Sequence, residues 1–372
     1  MNSESKNIII VLPFFTLGGA ETQALYIAKA FVQQNHKVTV VAFEEKNNQL
    51  IEKLNEIGVS SELISLNLSL IHAKGLGKIK ILFRYLLFLR GLKPDYIFPL
   101  TYYPNILSSA VWRFTGAKYC FWNQRGMESL SLNFIEKIAR FMKPKYLANS
   151  KSCENFITER HSLVKGELQV IPNAIQGKTE KIQGMSRDAL GINATDRIYL
   201  SVANFFPEKN HEELIKSWSE FEKERDDKLA EVLILVGYFP SLENERRIKA
   251  TLFDYSCKNI IILPPQKDIK PLYQMADFGI LASYSEGCPN VLLEYMLNEL
   301  IVISSKIDST IEILGENYLL FFNVGQHLEL SNILLKSVKD DFIDLKRGNK
   351  VIVEQKYTFG NLAEKYLKLI NG

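Results

Sequence analysis

The chain has 372 residues, of which 47% are hydrophobic and 23% charged, and its 45 Lys and Arg against 42 Asp and Glu give a formal net charge of +3. At about 100–200 residues per domain this length suggests two domains, and the near-balanced charge gives no bulk argument for a nucleic-acid partner. Cys120, Cys153, Cys257 and Cys288 are widely spaced with no CxxC pair, which excludes a zinc ribbon or disulfide framework and fits a reducing compartment.

Residues 7–15 (NIIIVLPFF) form a continuous apolar run, as expected of a parallel strand buried on both faces. One basic residue, Lys6, precedes the run and TLGGAET follows it without a small-x-small cleavage pattern, so it does not read as a signal-peptide core. No apolar run reaches the roughly 18–20 residues of a membrane span, and the expected location is cytoplasmic. A helix follows over about 21–34, with Ala24, Leu25, Ile27, Ala28 and Phe31 facing inward. A β-branched strand at 36–42, a helix near 47–57 and a short strand near 61–66 come next.

Residues 75–95 (GLGKIKILFRYLLFLRGLKPD) mix basic and large apolar side chains at near-helical spacing. Ile79, Leu82, Phe83, Leu86 and Leu87 make one face, with Lys78, Lys80, Arg84 and Arg90 on its flanks. Such a helix is either a core element with a solvated basic side or a surface for anionic lipid or a phosphorylated lipid acceptor, where each cation contributes about 1 kcal/mol. The surrounding composition bears on this choice. Residues 1–175 carry a net +8 and the remainder −5, and residues 71–151 hold 14 basic side chains against Asp95, Glu128 and Glu136. KIARFMKPK (137–145) is a second basic cluster, and on the lipid-surface reading the anionic membrane meets residues 74–145. No nucleic-acid-binding module accompanies the charge.

Strands are expected at 95–100, 118–123 and 145–150, the last feeding a helix at 151–160, and a strand in 168–175 ends in a Pro-Asn hinge. The second half repeats the alternation, with strands at 197–204, 231–237, 259–264, 277–282 and 300–305 and helices at 209–225, 241–256, 268–276 and 290–298. Two βα series imply an α/β chain of two Rossmann-like domains facing across a cleft. The expected boundaries are 1–173 and 174–356, with a terminal helix in 357–372 packing back towards the first domain.

The richest string is YSEGCPNVLLEYM (284–296), placed at a strand-to-helix turn on the carboxyl edge of a parallel sheet, where open α/β folds bind ligands. Gly287 allows close backbone approach. Pro289 and Asn290 are helix-start residues, so the amides of Asn290, Val291 and Leu292 point at an anion. Glu286 and Glu294 are carboxylates suited to hydroxyls, one set on a sugar and one on a ribose.

EGCPNVLLE resembles the EX7E signature of the family-4 retaining glycosyltransferases, which have the GT-B fold. LGGAET (17–22), HKVTVV, KPDYI (93–97), ANSKS with VIPNAI (148–175), SVANFFPEKNH (201–211), LILVG (233–237), DIKPLYQMAD (268–277) and IDSTIEIL (307–314) match further landmarks of that family in order. The resemblance implies that Glu286 contacts the transferred sugar at the anomeric carbon and that Glu294 holds the ribose. It implies that Lys209 and the Asn290–Leu292 amides hold the diphosphate, that Gly287 belongs to the donor site, and that Gly18 and Gly19 close over phosphate and acceptor. No metal or other cofactor is expected.

Three departures from the family pattern stand out. Asn204 and Phe206 occupy the positions where many members carry an arginine, which leaves Arg125 as a candidate for phosphate or acceptor contact or for a structural ion pair. The first-domain histidine of many members is not evident, since His36, His72 and His161 fall in a strand start, a loop and a helix end. Asp308, Ser309 and Thr310 replace a glycine pair ahead of Glu312. The expected activity is hexosyl or N-acetylhexosaminyl transfer from a UDP-sugar, or a GDP-sugar, to a lipid-linked saccharide in surface polysaccharide synthesis at the inner face of the cytoplasmic membrane. A nucleotide-sugar epimerase and a non-catalytic nucleotide-sugar-binding subunit are the alternatives.

Overall fold

The computed structural model describes residues 4–66, 77–127, 134–164, 166–176, 185–225 and 230–371. The chain divides into two compact units, Met1–Ala174 together with Phe359–Gly372, and Ile175–Thr358.

Unit 1 runs β1 (Asn7–Phe15), α1 (Gly19–Val32), β2 (Lys37–Glu45), α2 (Gln49–Glu56), β3 (Ser60–Leu63), α3 (Gly77–Gly91), β4 (Tyr96–Pro99), α4 (Tyr102–Val111), β5 (Tyr119–Gln124), α5 (Phe134–Phe141), β6 (Lys145–Ala148), α6 (Lys151–His161) and β7 (Leu168–Val170). Its seven strands are parallel, in the order β3-β2-β1-β4-β5-β6-β7. The apolar run of β1 serves two cores at once. Ile8, Ile10 and Leu12 enter the layer shared with α1 and α2, while Ile9 and Val11 enter the layer shared with α3, α4 and α5. A strand buried on both faces therefore shows no alternation.

Unit 2 contains β8 (Arg197–Val202), α7 (His211–Glu224), β9 (Glu231–Val236), α8 (Leu242–Asp254), β10 (Ile260–Leu263), α9 (Lys270–Met275), β11 (Phe278–Leu281), α10 (Asn290–Leu297), β12 (Ile301–Ser305), α11 (Asp308–Leu314), β13 (Phe321–Phe322), α12 (His327–Lys339) and α13 (Ile343–Lys356). Its parallel order, β10-β9-β8-β11-β12-β13, reverses direction between β8 and β11. That arrangement is the Rossmann one, and the crevice at the reversal is where such sheets take ligands. The last helix, α14 (Phe359–Asn371), returns to unit 1. It buries Leu362, Tyr366 and Ile370 against β1, α1 and β4, and Tyr96 donates to the Ile370 carbonyl at 3.1 Å. Each of those side chains contributes roughly 1.5–3 kcal/mol to closing that layer.

The structure divides the apolar face read on α3, packing Leu82 and Leu86 against the core. The buried residues are Ile81, Tyr85 and Leu89, whereas Ile79, Phe83 and Leu87 are 61%, 60% and 52% exposed. Tyr85 explains the choice, because its ring meets Phe43 and its hydroxyl reaches Ser108 at 2.8 Å in the interior. Lys74, His72 and Glu128 lie outside the described residues. The sequence also gave no sign of α4, which is buried on nearly every side. Its Asn105 donates to the Asn123 carbonyl at 2.7 Å and accepts from the Asn123 amide at 2.9 Å, so a side chain satisfies the backbone at the end of β5.

Candidate functional site in unit 2

Two loops meet at the β8/β11 reversal. The first leaves β8 through Asn204–Phe206, makes one 3-10 turn at Pro207–Lys209 and enters α7 after Asn210, whose φ of 57° is a left-handed conformation that Asn tolerates better than most residues. The loop is held close to its neighbour because Gly237 follows β9. A Cβ there would sit 2.2 Å from the Ala203 carbonyl oxygen. The second loop leaves β11, passes the buried Gly287 and enters α10 behind Pro289, which occupies the N-cap without a side-chain cap. Helix geometry leaves the first-turn amides, those of Asn290, Val291 and Leu292, outside the intrahelical ladder, and the helix dipole adds positive potential there.

Lys209 and Glu286, 77 residues apart, are joined across this reversal. Lys209 Nζ donates to Glu286 Oε1 at 2.6 Å, and Ser283 Oγ donates to the same oxygen at 2.7 Å. Among the described residues Glu286 Oε2 has no hydrogen-bond partner, and two of the three ammonium donors of Lys209 are unused. The pair is largely enclosed, with side-chain exposures of 25% and 13%. Hydroxyls stack behind it. Ser305 Oγ donates to the Ser283 carbonyl at 2.8 Å, and Thr310 Oγ1 donates to the Ser305 carbonyl at 2.7 Å. The Asp308-Ser309-Thr310 segment thus opens α11 and braces the loop that carries Glu286, while the buried Ser309 hydroxyl has no partner among the described residues. Glu312 lies on the exposed side of α11.

Glu294 lies one face further along α10, half-buried, and Tyr273 donates to its Oε2 at 2.5 Å. Burial pushes the Glu294 carboxyl above the usual carboxylate range, and the Tyr273 hydrogen bond opposes the shift. Tyr295, the next residue, turns into the core and accepts from the Val202 amide at 2.8 Å, which ties α10 to the end of β8. Gly279 makes room for that ring, since a Cβ there would lie 2.3 Å from it. Sequence reasoning did not single out Tyr273 or Ser283, although Tyr273 stands within the DIKPLYQMAD landmark. His211 is buried, and burial followed by the Lys209 charge pushes its pKa down to about 4, with the Ala203 backbone carbonyl opposing. A neutral ring tilted against Phe205, with centroids 4.4 Å apart, is a support for the loop.

The remaining expected residues lie on unit 1. Gly18 is the N-cap of α1 and Gly19 its first residue, directly after β1. Glu21 is buried beside Gly18, its pKa raised by burial and held back by the backbone amides of Glu21 and Gly18. Arg125 follows β5. It makes no ion pair among the described residues; Nη1 donates to Asn173 Oδ1 at 2.7 Å and Nη2 to the Tyr366 hydroxyl at 3.2 Å. The structural-ion-pair expectation for it therefore fails, and its charge rests on neutral acceptors. Among the described residues no group of three or more His, Cys, Asp or Glu is arranged to hold a metal ion, and no helix is long and apolar enough to cross a membrane.

Two parallel Rossmann-like sheets, one with a lysine–glutamate pair at its strand-order reversal, define an α/β protein of the GT-B type. The sequence profile described as "Glycosyltransferase Family 4" matches residues 17–176, and that described as "Glycosyl transferases group 1" matches residues 183–352. The chain belongs to this glycosyltransferase family. No curated protein matches it by sequence. Among solved structures, a glycosyltransferase from Rickettsia africae superposes with a TM-score of 0.81 at 16% identity, covering 99% of this chain and 98% of the other. The Anabaena protein HepE, solved with UDP and glucose, gives a TM-score of 0.79 at 17% identity over 98% and 99%. WaaG, a glycosyltransferase involved in lipopolysaccharide biosynthesis, gives 0.70 at 15% identity over 98% and 100%. At these identities the likeness establishes the fold alone.

Proposed function

We propose that the protein is a retaining, metal-independent glycosyltransferase. It moves a hexose or N-acetylhexosamine from a nucleotide-diphosphate sugar, UDP-linked by preference, to a lipid-linked saccharide in surface polysaccharide synthesis at the cytoplasmic membrane face. The observation that carries this reading is the Lys209–Glu286 pair at the β8/β11 reversal, beside the first turn of α10. HepE with UDP and glucose, and the lipopolysaccharide role of WaaG, support the donor and acceptor classes by analogy.

In this mechanism the unused Lys209 donors and the Asn290–Leu292 amides hold the diphosphate, with Gly287 giving the backbone close access. The charge that develops on the leaving group is thus met by donors already in place. Glu286 accepts through Oε2 from a hydroxyl of the transferred sugar and orients its anomeric carbon. Glu294 accepts from the ribose through the oxygen that Tyr273 leaves unused. The anomeric C–O bond to the diphosphate breaks as the acceptor oxygen bonds to the same face, and the acceptor proton passes to the departing phosphate oxygen. On unit 1, Gly18 and Gly19 give backbone access at the end of β1, and the Arg125 guanidinium takes an anionic group of the acceptor.

The test is a thermal-shift screen against UDP, GDP, ADP and their sugar conjugates, with magnesium or with chelator. Ligand at 100 times its dissociation constant stabilises by about 2.7 kcal/mol. A shift for one base that survives chelator and is lost in Lys209→Ala is the expected outcome. No shift with any nucleotide would overturn the reading in favour of a non-catalytic subunit.

A second expectation concerns Tyr273→Phe. Without that hydrogen bond Glu294 loses the partner that orients its carboxylate, so UDP affinity should fall. The Tyr273 bond holds the Glu294 pKa down, so without it the carboxylate protonates at higher pH. Calorimetric titration with UDP between pH 5 and 8 should therefore show affinity failing at a higher pH in the variant. Identical pH profiles would remove Tyr273 from the ribose contact.

A further inference from the structure

We propose that α3 is an interfacial helix that docks unit 1 on an anionic lipid surface by inserting Ile79, Phe83 and Leu87. This deepens the membrane-side action proposed above by naming the contact surface. The three side chains are spaced four apart, on the side of the helix opposite Ile81, Tyr85 and Leu89, and all three are more than half exposed. They form a stripe about 12 Å long at 1.5 Å rise per residue.

The charges beside the stripe identify what covers it. Helix α3 contains no acidic residue, and Lys80, Arg84 and Arg90 are exposed and make no ion pair among the described residues. A protein partner's apolar groove would match the stripe and leave these cations uncompensated, whereas anionic headgroups flanking an apolar interior match both features. The same side of the sheet carries more of this pattern. Helices α3, α4 and α5 share one core layer, and the turn after α4 and the helix α5 expose Phe114, Phe134 and Phe141 at 56%, 62% and 79%. Lys137, Arg140 and Lys143 are exposed beside them. Arg113 and Trp112 both donate to the Met142 carbonyl, at 2.8 and 3.1 Å, which fixes that turn against the end of α5. Exposed apolar side chains flanked by cations are what an interfacial helix presents, and no span of the bilayer is required.

The test is co-sedimentation of the whole chain with vesicles of phosphatidylcholine alone or with 30% phosphatidylglycerol (the composition chosen as probe, roughly physiological in charge). The expected result is binding that requires the anionic lipid and weakens with salt. Phe83→Ser with Leu87→Ser should lower the partition coefficient by about tenfold or more, and Lys80→Gln with Arg84→Gln by about fivefold per charge removed. Lys53→Gln, an exposed lysine on α2, should change it little. All the substituted side chains are at the surface, and equal melting temperatures will exclude misfolding.

Equal binding to neutral and charged vesicles, or binding indifferent to the α3 variants, would overturn the proposal. So would a lipid-free dimer that Phe83→Ser converts to monomer, since a second copy would then be the occupant. A parallel transfer assay on a water-soluble saccharide acceptor separates the two readings. Transfer without vesicle binding sinks the docking surface alone, and vesicle binding without nucleotide recognition sinks the proposed transferase reaction alone.

Discussion

Glu286→Gln is expected to lower sugar transfer by about 10²–10³-fold while UDP affinity stays the same or tightens. The substituted side chain keeps its shape and an oxygen that can accept from Lys209 and Ser283, so the loop should hold its course. In the proposed mechanism, what disappears is the negative charge beside the anomeric carbon, whose stabilising effect is largest as positive character develops there, and interactions of that kind appear in kcat. The ammonium of Lys209 simultaneously loses its counterion and, as proposed above, would meet the diphosphate with its full charge. Lys209→Ala should show the complementary pattern, with UDP affinity reduced and the residual rate at saturating donor less affected than in Glu286→Gln. Initial rates over a donor series, read with UDP calorimetry, separate the two. Transfer by Glu286→Gln within threefold of the parent would remove Glu286 from the reacting centre.

How much of this was legible in the sequence differs from one element to the next. The βα alternation and the strands β1, β8 and β11 could be read directly, because strands buried on both faces are continuous apolar runs. The location of the Glu286 turn followed from the strand DFGILA and the helix start at Pro289. That Lys209 and Glu286 touch could not be read, since their contact depends on β8 lying next to β11 in the sheet rather than on any local spacing. The inward face of α3 could not be read either. Two apolar stripes, 79/83/87 and 81/85/89, lie on opposite sides of the same helix, and periodicity gives no reason to prefer one. A tyrosine whose hydroxyl finds Ser108 settles the orientation from outside the helix. Helix α4 was missed for the converse reason, as an element buried all round has no polar face to mark its period.

Glu136 was visible in the sequence only as one of three acids in a basic stretch, yet removing it should produce the largest loss of stability. Its carboxylate is fully buried on α5. It accepts from Arg160 Nε and Nη2 at 2.6 and 2.9 Å and from the Tyr102 hydroxyl at 3.1 Å, and His161 Nε2 lies 3.1 Å away. Burial pushes its pKa up, but hydrogen bonds from His161 and Arg160 and the Arg160 charge outweigh it and hold the group below the ordinary carboxylate value. Glu136→Ala strands Arg160, His161 and Tyr102 without their acceptor, and breaking a buried pair in this way costs about 3–5 kcal/mol. In thermal melts at pH 7 that is a fall in Tm of roughly 10 °C. Because the folded pKa is depressed, the stabilisation is present in full above the unfolded carboxylate pKa and is lost as pH falls through the folded one. The gap between parent and variant should therefore narrow below about pH 4. Replacing the charges together, as Glu136→Leu with Arg160→Met, should recover much of the loss, since desolvating both ions offsets most of their attraction. A Glu136→Ala protein within 1 kcal/mol of the parent in urea denaturation at pH 7 would show that water or a neighbouring acceptor replaces the carboxylate.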